Sequence, residues 1–214
     1  MKTFAFILIF LLSSCSTATL LKATKIKDET NSFVQYTYKK AQAVNLERLD
    51  KKSILDGSKE IRIWIGFGLV SPEHLLVLNI NKYGMISGKK VLIYNRDPDN
   101  WKDKEDSLEE FLESLYSYCD VIGTFNYIES CGVLHNEIYD WSKIYEKLNQ
   151  LNVWTLPDES ALPKPEIMIL DGLSIIVELR EGNSYRAYSY GNPGFRKDNE
   201  AVDASNIMLF VMGL

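Results

Sequence analysis

The sequence predicts a single α+β domain built from antiparallel β meanders and hairpins with about three helices. Three observations carry this. Short β-branched and aromatic runs are separated by Gly-containing turns at residues 60–95 and again at 167–190. Amphipathic stretches with capping residues lie between and after them. No apolar run reaches the roughly 20 residues a membrane-crossing helix needs.

In the first β unit, Glu60-Ile61-Arg62-Ile63-Trp64-Ile65 alternates polar and apolar residues only in part, but is rich in strand formers. Gly66-Phe67-Gly68 ends it, and Pro72 follows. Residues 75–80 and 90–95 are two more strands, joined through the Gly84 and Gly88 region. The helix signals come next. Ser107-Leu108-Glu109-Glu110 is a capping box opening a helix to about Tyr118. Asp140 caps a second helix to about Leu151, with Trp141, Ile144, Tyr145, Leu148 and Leu151 on one face.

The second β unit is a hairpin of residues 167–170 and 173–180 around Asp171-Gly172. It turns again at Glu181-Gly182-Asn183 into residues 185–190. Asp198 or Asn199 caps a last helix that buries Val202, Ile207, Met208 and Val211. Residues 33–50 carry mixed signals: 34–38 alternate like a strand, while 41–49 fit a short helix.

Residues 1–14 are expected to be a signal peptide. Lys2 precedes the apolar run of residues 4–12, Ser13 and Ser14 follow, and Cys15 closes the stretch. Leu12-Ser13-Ser14-Cys15 resembles the lipobox of bacterial lipoprotein signals. The resemblance implies cleavage before Cys15 and a diacylglycerol on its thiol, with further acylation such as palmitate on the new amino end. Cleavage after Ala18 by ordinary secretion is the plainer alternative. Each buried methylene contributes about 0.8 kcal/mol, and stable anchoring takes two or more chains. A multiply acylated Cys15 would hold the protein on a membrane of the bacterial cell envelope. Residues 15–30 then form the lipidated cysteine and a flexible tether, and residues 31–214 the globular domain.

The chain carries 24 Lys and Arg against 29 Asp and Glu, a net charge of −5. Loss of Lys2 with the signal makes the remainder more acidic still. This balance argues against a nucleic-acid partner and against an electrostatic grip on anionic lipid. Of the three cysteines, Cys119 and Cys131 remain if Cys15 is lipidated, and an oxidising compartment favours their disulfide. A metal site of Cys119, Cys131 and His135 is the competing arrangement, but the close cysteine spacing of zinc knuckles is missing.

Motifs for catalysis are absent from the sequence. There is no Gly-x-Ser-x-Gly elbow, zinc-protease helix motif, phosphate loop or dinucleotide fingerprint. Glu73-His74 has acid/base residue types, but neighbours on a strand point to opposite faces. The acidic loop of Asp97, Asp99, Asp103, Glu105 and Asp106 offers oxygen ligands to calcium without the EF-hand order. No catalytic residue, cofactor or metal is therefore assigned. Arg186, Tyr188 and Tyr190 share one strand face and form a candidate contact surface. Alternatively they are a cross-strand ladder, with Glu178 paired to Arg186 and the tyrosines capping the core.

The last half of the chain resembles bacterial cell-envelope lipoproteins without an assigned function. The resemblance rests on Cys119 and Cys131, Trp154-Thr155-Leu156-Pro157, Asp171-Gly172, Glu178 and Tyr185-Arg186-Ala187-Tyr188. It implies no activity. The expected role is a membrane-anchored, non-enzymatic binding or assembly module contacting an envelope protein or polymer. The alternative is an envelope hydrolase or carbohydrate-active enzyme with two carboxylates about 5–10 Å apart across a cleft.

Overall fold

The computed structural model describes residues 32–66, 72–95, 130–134, 139–165 and 172–214. In chain order these form α1 (Ser32–Ala43), β1 (Lys59–Gly66), β2 (Glu73–Ile80), β3 (Ile86–Asn95), β4 (Ser130–Leu134), α2 (Trp141–Gln150), β5 (Ser174–Glu181), β6 (Ser184–Gly191) and α3 (Asn199–Met212). The strands make one sheet in the order β4-β3-β2-β1-β5-β6. Every pairing is antiparallel. The α+β architecture read from the sequence is thus correct, and the two expected β units are halves of one sheet. Cys15, Cys119, His135, the 96–106 acidic loop, the 107–118 helix and residues 167–170 lie outside the described residues.

Helices cover both faces of the sheet, and the register assigns each side chain to one of them. Ile61, Ile63 and Ile65 of β1 align with Leu78, Leu76 and His74 of β2 and with Leu179, Val177 and Ile175 of β5. Most of this layer is buried against Ile144 and Leu148 of α2 and Ala201, Ala204, Ile207, Met208 and Val211 of α3. Each large apolar side chain here contributes about 1.5–3 kcal/mol by leaving water. The opposite face packs Trp64, Leu75, Val77, Val91, Ile93 and Ile176 against Ala41 and Val44. Because β1 is covered on both sides, its polar residues are buried too. That is why its alternation in sequence is incomplete.

Local chemistry explains the element ends. Asp140 accepts the Lys143 amide hydrogen at 3.2 Å and caps α2 as expected. Asn81 closes the β2–β3 turn, its Oδ1 accepting from the Tyr83 and Met85 amides at 2.9 and 3.0 Å. Gly84 in that turn has φ +81°, which favours glycine.

Four sequence expectations need correction. The segment 34–38 is helical and belongs to α1, which ends at Ala43. A strand-like alternation over five residues was too short to outweigh docking against the sheet. Residues 130–134, which include Cys131, form β4, a strand absent from the sequence expectation. Val202 is 43% exposed, whereas Ala201 and Ala204 are buried. Small residues let α3 sit close to the sheet. The expected 90–95 strand begins earlier, at Ile86.

Candidate functional site

The register brings opposite charges face to face in the middle of the sheet. Glu60 of β1 lies opposite Arg180 of β5, and Arg62 lies opposite Glu178. Arg62 is 0% exposed, and Glu60 and Glu178 are 1% exposed each. Charges this deep need partners. Arg62 Nε donates to Glu60 Oε1 at 2.8 Å and Nη1 to the Glu47 carbonyl at 2.6 Å. Lys52 Nζ donates to the other Glu60 oxygen. Arg180 donates to the carbonyls of Gly182 and Asp50 at 2.9 and 3.2 Å.

Glu178 is held differently. Trp64 Nε1 donates to its Oε2 at 2.7 Å, and the Tyr185 hydroxyl donates to Oε1 at 3.0 Å. Burial pushes its carboxyl above the ordinary range, while the Arg62 charge and these two donors pull the other way. The Tyr185 hydroxyl is pushed up as well, by its own burial and then by the Glu178 charge. Nη2 of Arg62 has no hydrogen-bond partner among the described residues. This cluster is buried in the sheet, and its bonds tie β1 to β5 and both strands to residues 47–52.

Glu73 and His74 occupy opposite faces, as strand geometry requires. Glu73 accepts from the Tyr36 hydroxyl and pairs with Lys40 at 3.6 Å, both on α1.

The expected contact surface of Arg186, Tyr188 and Tyr190 turns inward. Tyr188 and Tyr190 are buried, and their hydroxyls donate at 2.8 Å to the carbonyls of Val153 and Pro157. Arg186 is half-buried, and its Nη1 donates to the Trp154 carbonyl at 2.5 Å. Three alternate side chains of β6 therefore fasten the segment after α2. The tyrosines do belong to the core, but Glu178 does not pair with Arg186. Glu178 stands opposite Ala187, on the other face of the sheet.

A surface pocket of about 400 Å³ opens beside the end of β6. Its described walls are the 159–165 segment, with Glu159, Leu162, Pro163 and Lys164, and the 191–196 turn, with Phe195 and Arg196. Two short 3₁₀ turns, Glu159–Ala161 and Pro193–Phe195, set these walls. Asp158 caps the first, its Oδ1 accepting from the Ser160 amide at 3.1 Å. Its Oδ2 accepts the Ser189 amide hydrogen at 2.9 Å, and Glu159 Oε2 accepts that of Gly191 at 2.8 Å. Arg196 spans the pocket wall. Its Nε donates to Asp198 at 2.7 Å and its Nη2 to the Pro163 carbonyl at 2.7 Å.

Partial burial pushes the Glu159 carboxyl up, opposed by the Gly191 hydrogen bond. The Asp198 carboxyl is held low by the Arg196 hydrogen bond. Phe195 is 72% exposed on the rim. Sequence reading missed this pocket because its residues sit in two separate Pro- and Gly-containing turns. The Asp158-Glu159 pair just before a proline-rich stretch was the available signal.

Among the described residues, no group of three or more His, Cys, Asp or Glu is placed to hold a metal ion. None of their helices is long and apolar enough to cross a membrane. No protein-family model matches the chain, and no curated protein matches it in sequence.

Proposed function

We propose that the protein is a lipoprotein of the bacterial cell envelope that serves as a membrane-anchored, non-enzymatic binding or assembly module. The single observation carrying the reading is the N-terminal sequence of Lys2, the apolar residues 4–12, Ser13-Ser14 and Cys15, in that succession. Lipid on Cys15 supplies the attachment, and the domain works at the membrane surface through contacts to an envelope protein or polymer. The concave face around Glu159 and Phe195 supports a binding role, since it sets charged and apolar groups side by side.

Metabolic labelling with a radioactive fatty acid tests the anchor. The wild type is expected to incorporate label and Cys15→Ala to lose it; an unlabelled wild type defeats the anchor. Crosslinking in intact envelopes tests the binding role, with a reproducible partner as the expected result. Recovery of no partner across independent preparations counts against it.

A further inference from the structure

The outward stripe of α3 carries no charge. Its exposed residues are Asn199, Val202, Asn206 and Leu209, with Gly213 just past the helix end. They recur every three or four positions and so share one line along the helix. Val202 is 43% exposed and Leu209 60%. The two charged residues of α3, Glu200 and Asp203, lie off that line and are half-buried, and Asp203 accepts a hydrogen bond from Asn152.

Helix α2 supplies the contrast. It packs into the same core as α3, and its exposed residues include Lys143, Glu146 and Lys147. A helix face that meets water is normally charged in this way. The outer stripe of α3 is composed instead like a face that meets protein.

Two arguments select what covers it. The first is charge. The chain carries a net −5, so copies of it repel on average, and they approach most easily where no charge stands. The second is self-complementarity. Turned end for end, Val202 of one copy falls against the partner's Leu209, Asn199 against the partner's Gly213, and Asn206 against its own equivalent. An amide is donor and acceptor at once, so two Asn206 side chains satisfy each other. A hydrocarbon surface would leave that amide unbonded, at a cost.

We propose that α3 pairs antiparallel with α3 of a second copy of this chain, across a two-fold axis at Asn206. The proposal deepens the assembly reading by naming the partner as the chain itself, and rests on it. One helix face covers less than the roughly 1,200–2,000 Å² of a standard interface, so the pair is weak and reversible and is best caught covalently.

Photo-crosslinking of the full chain in intact envelopes is the test. A benzophenone amino acid is placed at position 209, and two copies with different epitope tags are expressed together. Irradiation is expected to give an adduct of twice the monomer mass that carries both tags. The same probe at position 146, on the charged face of α2, should give little of it. Asn206→Asp sets two carboxylates against each other at the axis and should lower the yield about tenfold or more, the scale of like charges meeting at an interface. Asn149→Asp adds the same charge on α2 and should leave the yield unchanged. Thermal melts of each variant check the fold.

Absence of any adduct from position 209 overturns the proposal. So do equal yields from positions 209 and 146, or a yield indifferent to Asn206→Asp, since both mark random collision. An adduct with a different protein and no doubly tagged species also overturns the pairing, and the binding-module reading then stands without it. If the doubly tagged adduct forms while the wild type takes up no fatty-acid label, the anchor falls and the pairing stands.

Discussion

Trp64 donates its indole hydrogen to Glu178 at 2.7 Å, across strands joined by residues 114 positions apart in sequence. The bond is buried and serves a carboxylate that burial has pushed above its ordinary range. The folded protein therefore holds the Glu178 proton at pH values where the unfolded chain has released it. Stability from this group is full below the ordinary carboxylate range and is lost as pH rises through the raised folded value. Urea unfolding across that window should show stability falling with pH. The contribution should be missing in Glu178→Gln, and an unchanged slope would refute it.

Arg62 is the cation at the centre of the same face. Arg62→Met should destabilise by about 3–5 kcal/mol, because Glu60 loses its buried guanidinium partner. A double-mutant cycle with Glu178→Leu should give a coupling of about 0.5–3 kcal/mol, as expected for groups sharing one network. Denaturant midpoints of the four proteins measure both; additive effects would show that the two residues act independently.

Tyr188→Phe should cost about 1–3 kcal/mol, the penalty for leaving the buried Val153 carbonyl without its donor. Tyr190→Phe should act in the same direction through Pro157. Thermal melts are the measure. Hydrogen exchange should rise in residues 151–157 more than in β1, since the lost bonds hold that segment.

Gly88 sits where a Cβ would lie 2.7 Å from both Leu78 and Trp141 and 2.8 Å from the Val77 carbonyl. Gly88→Ala should therefore destabilise by about 1–3 kcal/mol through overpacking. Tryptophan emission should shift as Trp141 is displaced from its seat; an unshifted spectrum with unchanged stability would contradict the close approach.

The sequence revealed those elements whose signal is local. Asp140 ahead of an apolar stripe marked α2, and Glu181-Gly182-Asn183 marked the β5–β6 turn, where Gly182 has φ +51°. Strand β4 and the helical character of residues 34–38 depend on distant partners and left no comparable mark. The charged cluster was hidden for a related reason. Glu60, Arg62, Glu178 and Arg180 lie on two strands far apart in sequence, and nothing local marks them as partners. Only the pairing of β1 with β5 and the cover of residues 44–58 put them inside. Likewise, the direction of Arg186, Tyr188 and Tyr190 is set by what lies across β6, and the strand pattern alone leaves both faces open. The pocket needed the chain to bring residues 159 and 191 together.

Strand β6 lies at one end of the sheet, where exposed backbone donors invite another chain to add itself. Asp158 and Glu159 occupy two of those donors, on Ser189 and Gly191, with side-chain oxygens in place of a neighbouring strand's carbonyls. A carboxylate can accept the hydrogen but cannot pass the ladder on. The sheet is thus given a terminus, and polymerisation along this side is checked by two acidic residues. Copies of the domain brought together at high concentration would meet at this edge with those two donors already taken.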